Sequence, residues 1–426
     1  MNKSGLRKPD VVMVCSALGL AAVTLLCFGW LDRTGSGNLK MTTVVPAKGQ
    51  PYSVAISADG TKVAMMHQEF SGPSGGVTRD MIEVRDVQSG REVGSFSLPT
   101  INWANRAQYY VSRNLMYCDG GKYLLAFSGP DTIYVTDARS FQLHALIALN
   151  IPPHSDVEVD CSASGSVAAL AASFNVYGLS IKLFDLDKGA EIADLGGILD
   201  KRPESYTGDG MAISPDGSKL ALGISSGEGS VVKLVDTRTK GFLGKLALWD
   251  EIWNKHLFTF AGEGALVIGE RRCDDRSEKC ELRSAPRGRT LRVWDFGGNG
   301  TVRTLGWPGA EAYGSFGASA DGNVVFGYTG TGSYCKSCNE GGGELKIDDA
   351  RFTVWDRRSG RVVARSPSLK VEVHRCFLQI IGSCTAYERE PELQMSADGK
   401  AVLAFWPPPS GPPPDKAGEL EVYRRH

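Results

Sequence analysis

The sequence predicts an all-β protein: a seven-bladed β-propeller closed by an N-terminal strand and preceded by one transmembrane helix. Three observations support this fold class. An uncharged segment lies near the N-terminus, a pattern of four short strands returns seven times, and a β-rich segment before the first repeat has no partner of its own. Repeats of four short strands are typical of blades arranged around a central channel.

The composition places the chain among ordinary folded proteins. Of 426 residues, 42% are hydrophobic and 22% are charged, which excludes global disorder. Lys and Arg number 47 against 48 Asp and Glu, for a net charge of −1. This balance predicts no nucleic-acid partner and no polybasic lipid-binding face, because both require an excess of basic residues.

The N-terminal segment has the length of a membrane anchor. Residues 11–31 carry no charge, and as a helix they would span about 31 Å, enough for a bilayer core. Three basic residues precede the segment, so the positive-inside rule puts the tail in the cytoplasm. We therefore expect a cytoplasmic tail at 1–10, an anchor at 11–31, a linker at 32–40 and the propeller at 41–426.

Two alternatives to the anchor remain open. A cleaved signal peptide would also begin with basic residues, although the segment lacks a small-residue cleavage site. A lipid anchor at Cys27 is the other, although Leu26 before it is not small. All three interpretations place most of the chain in the periplasm or outside the cell.

The cysteines fit an oxidising compartment. Eight of the ten lie after the N-terminal segment, and six of these form close pairs in the sequence. In an exported protein this pattern predicts disulfides, whose pairing the sequence alone does not fix. A bridge between the two remaining residues is plausible because they occupy matching positions in neighbouring repeats. The candidates are Cys273 and Cys280, Cys335 and Cys338, Cys376 and Cys384, and Cys118 and Cys161.

Each repeat begins with a strand that reaches a Ser-x-Asp-Gly-like turn. Asp-Gly between β-rich segments favours a hairpin, because Gly accepts the positive φ that tight turns need. The clearest copies are at 57–60, 214–217, 319–322 and 396–399, and degenerate copies are at 118–121, 162–165 and 261–264.

The third strand of each of the first six repeats ends in Asp. These residues are Asp86, Asp137, Asp185, Asp236, Asp295 and Asp356, at spacings of 51, 48, 51, 59 and 61 residues. The seventh repeat stops after its third strand, so residues 41–45 are predicted to supply its fourth. This pairing would close the ring and remove an open sheet edge.

The turns and the dipeptides Trp294-Asp295 and Trp355-Asp356 resemble WD40-like and YVTN-type propeller repeats over residues 41–426. No Gly-His pair opens the repeats, and most lack the Trp, so the chain looks like the divergent exported bacterial branch. The resemblance implies the fold. It does not imply a function, because propellers serve both as enzymes and as docking platforms.

Long insertions are predicted to share one face of the propeller. Four links between second and third strands are long, at 67–80, 270–289, 329–351 and 406–418, and the connector at 366–391 lies on the same face. Insertions on one face often mark a binding surface, although long loops are also tolerated at low cost. Because the three close cysteine pairs lie in these insertions, we expect a disulfide-braced face that binds a protein or glycan.

The sequence predicts no catalytic, cofactor-binding or metal-binding residue. The Cys-x-x-Cys spacing of Cys335 and Cys338 favours a local disulfide, with a metal or redox site as alternatives. The acidic and histidine residues that could serve an enzyme are scattered along the sequence and form no group; they are Asp156, Asp209 and His256. A membrane-anchored binding or scaffold module is the leading hypothesis. An enzyme similar to quinoprotein or lactonase propellers, with its site at the channel mouth, or a subunit of a membrane complex are the alternatives.

Overall fold

A computed structural model describes most of the chain after residue 36. The described residues are 37–44, 51–71, 76–98, 110–111, 115–127, 132–149, 155–174, 178–196, 210–226, 229–248, 258–270, 290–298, 300–305, 311–335, 344–369, 391–406 and 419–425. Within them the structure forms 29 β-strands and a short 3-10 turn at Asp119–Gly121. The protein is therefore all-β over these residues, as the sequence predicts.

The strands follow the predicted four-strand pattern. In chain order they are β1 (Gly37–Val44); β2 (Pro51–Ile56), β3 (Lys62–Ser71), β4 (Gly76–Asp86) and β5 (Glu92–Ser97); β6 (Tyr110–Val111); β7 (Leu115–Cys118), β8 (Tyr123–Phe127), β9 (Thr132–Asp137) and β10 (Leu143–Ala148); β11 (Ser155–Cys161), β12 (Val167–Phe174), β13 (Gly178–Asp185) and β14 (Ala190–Asp194); β15 (Met211–Ile213), β16 (Lys219–Ser226), β17 (Gly229–Asp236) and β18 (Phe242–Ala247); β19 (Phe258–Phe260), β20 (Ala265–Glu270), β21 (Thr290–Asp295) and β22 (Thr301–Leu305); β23 (Glu311–Ala318), β24 (Val324–Cys335), β25 (Glu344–Asp356) and β26 (Val362–Arg365); β27 (Glu392–Met395), β28 (Ala401–Trp406) and β29 (Glu419–Arg425).

Each of the first five repeats forms its own antiparallel sheet, with strands in chain order from the inside outwards. The short strand β6 adds to the third of these sheets by pairing in parallel with β11. The first strands of successive repeats contact one another in a cycle that runs β2, β7, β11, β15, β19, β23, β27 and back to β2. This cycle surrounds a central channel.

The predicted count of seven separate blades is wrong. The described strands form six sheets, because the last two repeats merge into one eight-stranded sheet. β1 is the cause: it pairs antiparallel with β29, as expected, but also pairs in parallel with β26 through Gly37 and Asn38. A single N-terminal strand therefore bridges two repeats. It begins at Gly37, four residues before the expected start of the propeller domain.

The predicted transmembrane helix is not present in the part of the chain that the structure describes, where no helix is long and apolar enough to span a membrane. Residues 11–31, to which the prediction refers, lie outside the described residues. The anchor therefore stays a prediction.

The hydrophobic core lies between neighbouring sheets. Middle strands are buried throughout, as in β8, whereas fourth strands are largely exposed, as in β5. One core cluster joins Met66 and Ile82 of the first repeat to Leu124 of the second, so each sheet covers its neighbour. Each Å² of apolar surface that is buried stabilises the folded state by about 25 cal/mol, so this stacking is the main stabilising contribution.

Candidate functional site

The antiparallel strand order gives the molecule two faces. We call the face with the turns between first and second strands, and between third and fourth strands, the turn face. The opposite face, with the links between second and third strands and the connectors between repeats, is the loop face.

On the turn face the Ser-x-Asp-Gly turn is a closed hydrogen-bond unit. The Ser396 hydroxyl donates to the Asp398 carboxylate at 2.6 Å and accepts the Ala401 amide at 2.9 Å. Ser396 is fully buried, and Gly399 has φ of +69°. The same arrangement recurs at Ser57, Ser214 and Ser319. The motif is thus explained by turn structure.

The Asp residues that end the third strands also have a local role. The Asp86 carboxylate accepts the hydroxyl and the amide of Ser89, each at 2.7 Å. These two hydrogen bonds lower the pKa of Asp86, because they stabilise its ionised form. Equivalent bonds join Asp137 to Ser140, Asp236 to Thr239 and Asp356 to Ser359.

Backbone hydrogen bonds join neighbouring turns on the turn face. The donors and acceptors are backbone groups of adjacent repeats: Asp119 to Ser162, Ser164 to Pro215, Ala320 to Ala397 and Asp398 to Ala58, over 2.7–3.3 Å. Gly322 packs so closely on the next turn that a Cβ there would lie 2.4 Å from the carbonyl oxygen of Ala261. These contacts link the turns of several neighbouring repeats into a seam beside the channel.

The cavity at this end of the channel is small, and its accessible lining is more polar than apolar. It holds about 160 Å³ and is lined by the residues before each turn, which include Ile56, Tyr117, Ile213, Phe260 and Met395. Asp160 also lines it, and its carboxylate accepts the Ile213 amide at 3.0 Å. Burial raises the pKa of Tyr117, so its hydroxyl stays protonated at neutral pH.

Of the scattered acid and base residues considered for catalysis, only Asp156 lies in the described part of the chain. Asp156 lies on β11 opposite Ser173, while Asp209 and His256 fall outside the described residues. Within the described part of the chain, no three His, Cys, Asp or Glu side chains are close enough to hold a metal ion.

The junction between the second and third repeats is cross-linked. A disulfide joins Cys118 to Cys161, with 5.7 Å between their Cα atoms. Beside it, Asp187 accepts hydrogen bonds from the Lys122 ammonium at 2.5 Å and the Tyr123 hydroxyl at 2.6 Å. These bonds lower the pKa of Asp187. Sequence analysis did not identify this contact, because the partners of Asp187 lie in another repeat.

A carboxyl pair joins the fourth and fifth repeats. Glu263 accepts the amide of Asp216 at 2.9 Å, and its other oxygen lies 3.8 Å from Lys219. Burial, and then the Asp216 carboxylate, raise the pKa of Glu263 to about 7. Burial alone would raise the pKa of Asp216 as well, but hydrogen bonds from Glu263, Ser218 and Ser214 lower it. Next to the ionised Asp216 carboxylate, the environment therefore favours the uncharged form of Glu263.

On the loop face, two insertions that were expected to be loops are extended hairpins. β3 and β4 stay paired to Ser71 and Gly76, with a bulge after Glu69. β24 and β25 stay paired to Cys335 and Glu344, with a bulge after Thr329. Long insertions in a two-stranded register satisfy their backbone hydrogen bonds internally. The insertions after Glu270 and Trp406 and most of the 366–391 connector lie outside the described residues.

The close cysteine pairs stay predictions. Cys335 is the last residue of β24. The other members of these pairs lie outside the described residues, namely Cys273, Cys280, Cys338, Cys376 and Cys384.

A second cavity lies where β1 bridges the last two repeats. It holds about 580 Å³, and the described residues that line it include Lys40, Arg351 and Arg365 together with Asn38 and Met41. We call it the basic groove. Sequence analysis missed it because Lys40 lies on β1, far along the chain from β25 and β26, and because the overall charge balance hides a local grouping.

Known structures give a fold comparison for this arrangement. The β-propeller domain of Cps50 (Swd1) from Myceliophteria thermophila matches with a TM-score of 0.50 and 12% identity, over 91% of this chain and 100% of that one. The fold is a β-propeller. Hydrazine synthase from Kuenenia stuttgartiensis matches with a TM-score of 0.47 and 15% identity, over 86% and 96% of the two chains. No protein-family model and no curated protein matches the sequence.

Proposed function

We propose that this propeller is a binding or scaffold module, held on the outer side of a membrane by residues 11–31. It binds a protein or glycan through a loop face whose insertions are braced by disulfides. The observation that supports this proposal is the difference between the two faces. The turn face repeats one hydrogen-bonded design, whereas the loop face carries insertions of different lengths.

The β3–β4 hairpin is the best-described part of this binding face. Glu69 and Arg79 form an ion pair across the hairpin, and the side chain of each is 46% exposed. Exposed ion pairs contribute little to stability, so this pair alone adds little to the stability of the hairpin. A rigid hairpin with exposed charges of both signs suits a polar partner, because its backbone is ordered before binding.

The enzyme alternative is not carried forward, because no specific observation among the described residues favours it. The described end of the channel offers a small cavity, and the one carboxylate among its described lining residues, Asp160, accepts a backbone amide.

Site-specific photo-crosslinking in the native membrane tests the proposal. A photoreactive residue is placed at Glu69 or Arg79 on the loop face. In matched variants it is placed at Gln88 or Arg139, which are exposed on the turn face. We expect a discrete adduct of the same mass from both loop-face positions and none from the turn-face positions.

Adducts from the turn-face positions alone would overturn the assignment of the binding face. Absence of adducts from all four positions would count against a stable partner at the described hairpin. Alkaline extraction of the same membranes tests the anchor separately, because an anchored chain stays in the pellet.

A further inference from the structure

We propose that two copies of this chain associate rim to rim, through the outer strands β14 and β18 of the third and fourth repeats. Each is the outermost strand of its sheet among the described residues, and the two repeats are neighbours in the ring because β11 contacts β15. We call the exposed residues Ile192, Asp194, Phe242, Leu243 and Lys245 the rim patch. This inference goes beyond the proposed function and requires neither the anchor nor the loop face.

The rim patch exposes apolar side chains that a lone copy leaves in water. Phe242 is 55% exposed, and Ile192 and Leu243 are each 49% exposed. The outer strand of the second repeat, β10, adds Leu143 and Leu146, which are exposed to a similar extent. Single exposed apolar residues are ordinary, but a row of them on three successive outer strands indicates a contact surface.

The rim patch also carries one charge of each sign at equivalent positions. In the strand register Asp194 lies opposite Lys182. Lys245 lies opposite Lys233, which has the same place in its own third strand. Lys182 forms its salt bridge with Glu191, at 2.9 Å, and within the described part of the chain neither Asp194 nor Lys245 forms a salt bridge. Two neighbouring edges therefore present opposite charges at the same height in the ring.

A two-fold axis parallel to the channel makes this patch complementary to itself. With the axis outside the rim, between the third and fourth repeats, β14 of one copy faces β18 of the other. Both strands run from the turn face to the loop face, so equivalent positions meet. Ile192 then lies against Leu243 of the second copy, and Asp194 against Lys245 of the second copy. Each contact occurs twice, as in other isologous interfaces.

The same charges exclude the other simple arrangement. A two-fold axis perpendicular to the channel would set β14 against β14 or β18 against β18, with like charges facing each other, which is unfavourable. A lysine on an edge strand also opposes pairing with an uncharged or basic edge. The charges of the rim patch therefore select a second copy of this chain in one orientation.

The interface is small, because β14 and β18 have five and six residues. Stable interfaces bury roughly 800 Å² on each partner, and two short strands provide the lower end of that range. We therefore expect a reversible dimer with a dissociation constant of about 1–100 μM.

Charge reversal in the full chain, purified in detergent micelles, tests this pairing. Sedimentation velocity over a range of concentrations measures the equilibrium between monomer and dimer. Asp194→Lys sets lysine against Lys245, and Lys245→Asp sets aspartate against Asp194, so each should weaken association by at least about tenfold. The double variant Asp194→Lys, Lys245→Asp restores opposite charges at both contacts, and its affinity should return to within about threefold of wild type.

Two further variants separate charge from apolar contact. Ser97→Lys adds a lysine at an exposed position of the outer strand β5 in the first repeat, and association should not change. Leu243→Ser removes an apolar contact and leaves the charges in place, and it should weaken association by at least about threefold. Because these side chains are exposed, the variants should fold, and recovery in the double variant excludes misfolding as the cause of the single losses.

Three results would overturn the proposal. A wild type that stays monomeric well above the expected dissociation constant would leave the rim patch to a different partner. A dimer that both single reversals leave unchanged would place the association on another surface of the chain. A double variant as weak as the single variants would show that Asp194 and Lys245 do not face each other across the interface.

Discussion

The two faces of this propeller differ in how regular their connections are. On the turn face, buried serines, Asp side chains and positive-φ glycines form the same hydrogen bonds in repeat after repeat, and neighbouring turns bond to one another. On the loop face, links between second and third strands range from two residues, between Ser226 and Gly229, to nineteen, between Glu270 and Thr290.

Under the proposed function, this difference separates the residues that stabilise the ring of sheets from those that contact a partner. The turn face holds the ring of sheets together, so its residues are constrained by their neighbours. The loop face extends beyond the blades, and its described hairpin carries exposed charges whose removal costs little. The predictions below first disrupt contacts of the turn face and then remove exposed charges from the loop face, and each measures the change in stability.

Loss of the turn-face disulfide should have the largest effect. Cys118 and Cys161 are 43 residues apart, and cross-linking a loop of that length restricts the unfolded chain by about 4 kcal/mol. We expect the double variant Cys118→Ala, Cys161→Ala to lose about that much stability in urea titration. An unchanged urea midpoint would mean that the seam holds this junction without the disulfide.

Gly322→Ala should have the second largest effect and lower the free energy of unfolding by about 3 kcal/mol. The strain of an alanine at positive φ adds to a backbone clash. Gly322 has φ of +70°, and the added Cβ would meet the Ala261 carbonyl oxygen. Gly300→Ala is the control: its φ is +65°, but nothing lies within 4 Å of its Cβ position. We expect Gly300→Ala to lower the free energy of unfolding by about 1 kcal/mol, measured by urea titration. Equal losses in the two variants would show that neighbouring turns can separate freely.

The Asp216–Glu263 pair predicts a smaller, pH-dependent effect. The pKa of Glu263 is about 7 in the folded protein, against 4.5 as its ordinary value. The folded state therefore binds more protons than the unfolded state between these values, so stability falls as pH rises from about 4.5 to about 7. Since the Glu263 side chain is 42% exposed, solvent screening keeps the effect under about 1 kcal/mol.

Glu263→Gln should flatten this part of the pH–stability curve, measured as thermal midpoints across the interval. Glu191→Gln, which removes the carboxylate bonded to Lys182 on an outer strand, should leave the slope in place. A slope that survives Glu263→Gln would assign the titration to another group.

The loop face should tolerate change best. Glu69→Ala with Arg79→Ala removes an exposed ion pair from the β3–β4 hairpin, and we expect a stability change below about 0.5 kcal/mol. Thermal unfolding measures this directly. If the thermal midpoint falls by more than about 1 °C per substitution beyond the shift that 0.5 kcal/mol produces, the hairpin stabilises the fold and is not a free binding element.

Much of the fold follows from local sequence. The Ser-x-Asp-Gly turns and the third-strand Asp residues could be predicted because each hydrogen-bonds to groups within about five residues, as Ser396 does with Ala401. The Cys118–Cys161 bridge was left as one pairing among several, and the structure forms it. The Lys122–Asp187 contact could not be predicted, because nothing in either turn encodes which repeat lies beside it.

The sequence by itself determined the strands, the turns between them and the return of the first strand to the last. Strand burial patterns and turns depend on residues that are close together in the sequence, so they can be predicted without knowing how the sheets are arranged in the ring. Only the tertiary structure decided that β1 would also bond to β26, merge two repeats and bring Lys40, Arg351 and Arg365 around one groove. A strand edge offers hydrogen bonds to any chain that reaches it. Which neighbour takes them is decided by how the packed sheets are positioned.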